Sequence, residues 1–318
     1  MIDTSSKIGL GTYNTAKDQS EIISYALQND YKLIDTAPNY DYGLSQNEIS
    51  KALQNNPGVR EKIIISTKAG FISNRSDIDL YVDKKIALRT DFVGNHCMSP
   101  SFIDFEVNKN LAELGVQNID ILFLHNPERQ FGRLDKTKFL QELLKAFEKL
   151  EILCESGKIS YYGISSWDGF SSKGKKGLFS LDDILELRNQ TTSKSHFKYI
   201  QIPLSLVFYD ELYNYVLENK GLLKDAENNS IKVFANSPLY KGELPRIMDD
   251  EFLSLFGHTN KAQACLLFLK SFPVIDKILV GATKDYQVKE NKEVDLLPNI
   301  KLENLGEILA LLSNGTNQ

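Results

Sequence analysis

Two rhythms of apolar residues alternate along this chain. Nearly continuous, β-branched runs recur, as in Ile63-Ile64-Ile65-Ser66-Thr67-Lys68 and Ile119-Asp120-Ile121-Leu122-Phe123-Leu124-His125. Such runs mark strands buried on both faces. Between them, apolar residues fall three and four apart, as on one face of a helix. Shorter runs predict further strands at 7–13, at Leu33-Ile34-Asp35, and at 161–165, 199–202, 231–235 and 277–280. Gly9 and Gly11 in the first run predict a backbone that a neighbour approaches closely.

Helix signals fill the intervals. Ile22, Ile23, Ala26 and Leu27 share one face over 20–28. Ser45-Gln46-Asn47-Glu48 reads as a capping box before Ile49, Ala52 and Leu53. Ser99-Pro100 supplies an N-cap and a first-turn proline, and the helix behind it stops at Gly115. Asp135 opens a long helix closed by Gly157, and Ser180 opens another. Helical stretches follow around Leu212 to Leu223, over 262–269 and over 302–312, before a polar tail. Regularity fails over 69–99 and over about 240–258, and a Gly/Ser/Lys loop spans 169–177.

Eight strands alternating with helices predict a parallel sheet, because parallel neighbours need crossover connections. Eight such units over 318 residues favour a closed (β/α)8 barrel, a TIM barrel, in one domain over 1–318. A long loop then follows the strand bearing Lys68. An open doubly wound sheet is the alternative; it would carry a glycine-rich phosphate loop, and neither G-x-G-x-x-G nor G-x-x-x-x-G-K occurs.

Composition narrows the partners. The chain is 42% hydrophobic and 25% charged with a net charge of −5, so nucleic acid and anionic membrane are not expected. No apolar run approaches a membrane span, and the first six residues lack the features of a signal peptide. Three cysteines far apart, Cys97, Cys154 and Cys265, argue for a reducing compartment, with the cytoplasm as the default. His96-Cys97 lacks the second ligand pair of a zinc site, so no metal is expected. Glu128 and Arg129 read as exposed loop charges rather than substrate contacts, and Trp167 as either pocket wall or core.

The candidate chemistry lies at strand ends, which in an α/β barrel converge on one mouth. Asp35, with Tyr40 just beyond it, Lys68 and His125 stand there. A phenol has a pKa near 10 and is a poor acid until a nearby ammonium stabilises its phenolate. A carboxylate keeps that ammonium charged and placed. A neutral imidazole can hold a substrate oxygen against the phenol.

These residues lie in motifs that resemble the aldo-keto reductase family across almost the whole chain. They are Asp35-Thr36-Ala37-x-x-Tyr40, Ser66-Thr67-Lys68, Leu111-x-x-Leu114-Gly115 with Asp120 and Leu124-His125, Lys158 with Gly163-Ile164-Ser165, Gln201, Ala235-x-Ser237-Pro238-Leu239, and Gly281-Ala282-Thr283 with Glu290-Asn291. The resemblance implies hydride transfer between a nicotinamide cofactor, NADP(H) before NAD(H), and a small carbonyl or alcohol. It matches Asp35, Tyr40, Lys68 and His125 to the catalytic four, and Ser165, Ser166 and Gln201 to positions that hold the nicotinamide amide. Gly11, Thr12, Asp35, Asn236, Ser237, Leu239, Gly281, Thr283, Lys284, Gln287, Glu290 and Asn291 fall to the cofactor side as well.

Three departures stand out. Asn236 replaces an aromatic residue that often stacks on the nicotinamide ring, Ser166 an amide-binding Asn, and Gln287 an Arg that meets the 2′-phosphate. Lys284 is a candidate substitute for that charge. The excursion over 69–99 is expected to wall the substrate pocket, with Phe71 or Phe92 facing it. A redox-sensing partner-binding module and a non-redox lyase or isomerase are the rival readings.

Overall fold

The structure is a computed structural model that describes residues 6–13, 19–172, 175–176, 178–192, 194–257 and 259–315. The predicted leaderless start before Ser6, parts of the 169–177 loop, His258 and the end of the polar tail lie outside those residues. Eight parallel strands close into a barrel: β1 (Ile8–Gly11), β2 (Leu33–Asp35), β3 (Ile64–Ala69), β4 (Ile119–His125), β5 (Ile159–Ser165), β6 (Phe197–Pro203), β7 (Lys232–Asn236) and β8 (Ile275–Val280). Each pairs with the next, and β8 returns to β1. Among the described residues no helix is long and apolar enough to cross a membrane.

Side chains alternate across a strand, so every second residue faces the barrel axis. Inside, Leu33, Ile121, Phe123, Phe234 and Leu279 form a buried apolar plug with Ile64 and Tyr199. Two residues further along the same strands, the inward face turns polar: Asp35 after Leu33, Ser66 and Lys68 after Ile64, His125 after Phe123, Gln201 after Tyr199, Asn236 after Phe234. The plug thus fills the lower barrel and the chemistry sits on top of it. A Cβ at Gly9 would lie 2.8 Å from Leu33 Cδ2, the close approach expected there, whereas one at Gly11 would meet nothing nearer than 3.7 Å.

The larger core lies between barrel and helices. The helices Pro100–Leu114 and Lys136–Glu155 begin after Ser99 and Asp135 as predicted, although the Ser99 side chain makes no capping hydrogen bond, and Gly115 ends the first at φ 67°. Asp135 accepts from the Lys138 N–H at 2.9 Å. The helix Ser45–Asn55 also starts as expected, but without a capping box. The Ser45 hydroxyl instead donates to Thr12 Oγ1 at 2.6 Å, and Glu48 takes Lys51 and the Ser20 N–H. The stretch predicted around Leu212 to Leu223 is two helices, Asp210–Leu217 and Leu222–Asn228, divided at Gly221.

Regularity does return in the two segments read as irregular. Glu243–Ile247 and Asp250–Ser254 are short helices, and 69–99 contains the helix Ile78–Asp83. Ile72, Ile78, Tyr81, Ala87, Cys97 and Phe102 give that excursion a small core of its own. At 6 residues its helix is too short to show a helical period by itself.

Candidate active site

Asp35 ends β2 in register with Ser66 of β3, and Lys68 lies two residues nearer the mouth on the same inward face. The long lysine side chain therefore reaches across to Asp35. Lys68 Nζ lies 2.7 Å from Asp35 Oδ2 and donates to the Thr36 carbonyl at 2.9 Å. Lys68 is wholly buried and Asp35 nearly so. The other carboxylate oxygen accepts from Ser66 Oγ at 2.7 Å and Gln201 Nε2 at 3.0 Å. Gln201 Oε1 in turn accepts from Ser165 Oγ at 2.8 Å. Burial works to lower the Lys68 pKa, but Asp35 and Tyr40 outweigh it and hold the amine above its ordinary value. The ammonium is thus kept charged in the barrel interior.

Tyr40 stands just past the end of β2, with the ammonium 4.9 Å from its ring centroid. Burial is the largest influence on the phenol and pushes its pKa up; Lys68 opposes this through its charge and a hydrogen bond. Lys68 thus lowers the phenol's pKa as expected, but burial outweighs it and leaves the net shift upward. A phenol that stays protonated is the form that can donate. His125 presents its ring 6.2 Å from Tyr40, edge to face. Burial first, then the Lys68 charge, keeps its pKa well below the ordinary value, so the imidazole is neutral. Tyr42, two residues from Tyr40, is 96% exposed and faces away from this group.

His96 is also buried and neutral, its pKa pushed down to about 3 chiefly by burial. Both histidines take up protons in the unfolded chain near pH 6.5 but not in the fold, so stability is lost as pH falls below that value. Between pH 7 and 5.5 the His96 share alone should be about 1.3 kcal/mol, with His125 acting in the same direction. Urea unfolding of wild type and His96→Gln at both pH values isolates this share, because Glu106 and Glu128, raised by burial, act in the opposite direction in both; an equal pH dependence in the two would contradict it.

The residues assigned to the cofactor spread along the β5 to β8 side of the same mouth. Asn236 ends β7, with its side-chain oxygen buried and without a hydrogen-bond partner. Ser237 follows at φ 56° and Leu239 packs against the outer core. Tyr240, Lys241 and Gly242 continue with positive φ, and the Tyr240 and Gly242 N–H groups bond back to the Ser237 and Leu239 carbonyls at 3.0 and 2.9 Å. Gly281, Thr283 and Lys284 are exposed after β8, while Asn291 is buried. Gln287 turns its side-chain oxygen back on Thr283, accepting its N–H at 2.8 Å and its hydroxyl at 3.1 Å. Glu290 meets Asn260 Nδ2 at 3.2 Å. Thr12 belongs to the interior rather than the rim: its N–H donates to the Asp35 carbonyl at 3.0 Å. Gly11 ends β1 opposite Asp35. The unpartnered buried Asn236 oxygen and the exposed Thr283 and Lys284 on one side of the mouth fit the polar groups of a dinucleotide.

Two side chains differ from their sequence reading. Glu128 is buried, not an exposed loop charge: its Oε1 accepts from the Trp167 N–H at 3.0 Å, and burial raises its pKa. It ties the turn after β4 to that after β5, where Ser166 Oγ accepts from the Gly169 N–H at 2.9 Å. Trp167 is half exposed and meets Phe208 edge to face at 5.7 Å. Phe92 packs on Tyr81 and Phe102 inside the excursion and does not face the mouth. Phe71 does, with its ring 4.9 Å from His125. Glu128 was recoverable only from its nearness to His125; no periodicity marks it.

The Aldo/keto reductase family profile matches residues 6–288. An uncharacterized oxidoreductase of Bacillus subtilis, YqkF, is 25% identical over 90% of this chain and 86% of its own. An NADH-specific methylglyoxal reductase of Escherichia coli is 26% identical over 81% of this chain and 71% of its own. An aldo-keto reductase from Bacillus halodurans, solved in its holo form, superposes with a TM-score of 0.67 at 21% identity, covering 96% of this chain and 91% of that one.

Proposed function

From the premise that this chain belongs to the aldo/keto reductase family, and so is an NAD(P)H-dependent oxidoreductase, we propose that Tyr40 is the proton donor in reduction of a small aldehyde or ketone. The observation that carries this reading is the buried Lys68–Asp35 pair, set against a protonated phenol and a neutral imidazole at one barrel mouth. The nicotinamide, when bound, supplies the hydride. This chain's own residues do the rest. His125 donates a hydrogen bond to the substrate oxygen and holds it within reach of the Tyr40 hydroxyl, where a separation of about 3 Å permits proton transfer. As negative charge grows on that oxygen, Tyr40 gives up its proton and the Lys68 ammonium stabilises the phenolate. Asp35 keeps Lys68 charged and aimed. Water exclusion over the plug strengthens each of these interactions.

The whole chain acts here as one catalytic domain, and its unpaired cysteines favour the cytoplasm as its compartment. The test is the loss of reduced-nicotinamide absorbance across a panel of aldehydes, ketones and, in reverse, alcohols. Turnover of at least one carbonyl compound supports the reading. Tight cofactor binding with none would favour a redox-sensing module, and substrate conversion without cofactor a lyase or isomerase.

Cofactor form rests on finer contacts. Ser165, Ser166 and Gln201 match positions that hold the amide, and Ser237 with the segment from Gly281 to Asn291 those that meet pyrophosphate, ribose phosphate and adenine. Gln287 brings no charge to a 2′-phosphate and is held by Thr283, which leaves Lys284 as the cation beside it. A missing charged hydrogen bond is worth about 1.5–3 kcal/mol. NADPH should therefore bind tighter than NADH, but by no more than about tenfold. Fluorescence titration of both forms decides; clearly tighter NADH binding, as the name of the E. coli relative states for that enzyme, would overturn it.

A further inference from the structure

The 69–99 excursion does more than pass over the mouth. β3 pairs with β4 only as far as Ala69 opposite Leu124, so the ladder ends one residue short of His125. The Asn126 N–H is bonded to the Ser165 carbonyl on the β5 side, so the His125 carbonyl points to the β3 side, where no strand remains. His96 fills that gap. Its Nε2 lies 2.9 Å from the His125 carbonyl oxygen, and its ring is 1% exposed.

Which nitrogen carries the proton follows from the partners. Arg133 can only donate, and its Nε lies 2.6 Å from Gln130 Oε1. The Gln130 amide nitrogen therefore faces His96, 2.8 Å from Nδ1. Nδ1 must accept, so the proton sits on Nε2 and is donated to His125. Arg133 is itself anchored by Glu142, 2.5 Å from Nη2. The chain is directional from Glu142 through Arg133, Gln130 and His96 to the backbone of His125.

Local geometry brings the two histidines together. The Cys97 N–H bonds to the Gly70 carbonyl at 2.8 Å and the Ile72 N–H to the Asn95 carbonyl at 3.0 Å, which returns the chain alongside its own departure. Gly70 adopts φ 151°, and a Cβ there would sit 2.7 Å from the His125 carbonyl oxygen and 3.1 Å from His96 Nε2. Phe71 lies edge to face on both imidazoles, 4.9 Å from each. On the other flank, Ser73 Oγ donates to the Pro38 carbonyl at 2.6 Å, two residues before Tyr40.

We propose that His96 is a positioning residue for His125: its imidazole replaces the missing strand rung and sets the angle at which His125 meets the substrate oxygen. The excursion is then part of the catalytic site, not only a wall beside it. This inference rests on the role given to His125 above. His96→Leu removes the rung and frees the carbonyl to tilt; His96→Gln keeps a donor at the reach of Nε2. A displacement of about 1 Å in a reacting geometry costs on the order of a hundredfold.

The experiment measures kcat, carbonyl KM and NADPH dissociation constants for wild type, His96→Leu, His96→Gln and Gln130→Leu. His96→Leu should lose about 10–100-fold in kcat with cofactor affinity within about twofold, and His96→Gln should recover most of that loss. Gln130→Leu, which leaves His96 in place without its fixed proton, should also lower kcat and serves if His96→Leu does not fold. Normal kcat in His96→Leu, a glutamine variant no better than leucine, or a neutral Gln130→Leu beside an unfolded His96→Leu each overturns the inference. A wild type that reduces no carbonyl compound would instead remove the catalytic reading on which it rests.

Discussion

Tyr40→Phe lowers carbonyl reduction at least about 100-fold, the low end for a lost general acid, while cofactor affinity stays near that of wild type. The effect is large because no other phenol is placed to replace it. Tyr42 is two residues on, in a turn where Asp41 and Tyr42 both take positive φ, and its side chain is almost fully in solvent. Tyr13 meets the Tyr40 ring edge to face at 5.1 Å, but no hydrogen bond joins it to Lys68 or Asp35 among the described contacts. Tyr42→Phe should therefore change turnover less than about twofold, as exposed side chains away from reacting atoms do. Steady-state kinetics on the two variants side by side checks both statements. Near-normal turnover in Tyr40→Phe would show that the proton comes from elsewhere.

Lys68→Met removes a buried charge and has two consequences that separate cleanly. The phenolate loses its counter-ion, so turnover should fall as far as in Tyr40→Phe. Asp35, at 3% exposure, is left without its cation, and breaking a buried pair in this way typically costs about 3–5 kcal/mol. Lys68→Met with Asp35→Asn removes both charges together. That double variant should recover most of the stability and none of the turnover. Chemical denaturation and kinetics on the single and double variants test this. Recovery of turnover along with stability would mean that Lys68 acts only as a structural partner of Asp35.

The parts of this site that could be read in the amino-acid order are those fixed by strand register. Leu33 and Ile34, Ile64 and Ile65, and Leu122 to Leu124 announce buried strands, and the polar residue closing each run is carried to the mouth by the barrel itself. Asp35, Lys68 and His125 follow from that logic, and Tyr40 from its spacing to Asp35. His96 and Glu128 do not, because what places them is a chain reversal and a turn, not a period. His96 sits 29 residues before His125 in an excursion whose helix, Ile78–Asp83, is too short to announce itself. Ser45 shows the opposite failure. Its local pattern fits a cap, but Thr12 and Thr36 offer its hydroxyl buried partners, and tertiary contacts win. The net direction of the Tyr40 shift was also hidden, since it depends on how far burial outweighs Lys68.

The most direct measurement follows the label itself. Reduced cofactor carrying deuterium at both C4 positions of the nicotinamide is mixed with a carbonyl substrate found by the absorbance panel, and the alcohol product is analysed by mass spectrometry and NMR. The account predicts one deuterium on the former carbonyl carbon per cofactor oxidised, in wild type and in the residual product of Tyr40→Phe alike. Product carrying no deuterium at that carbon, or formed without cofactor oxidation, would contradict it.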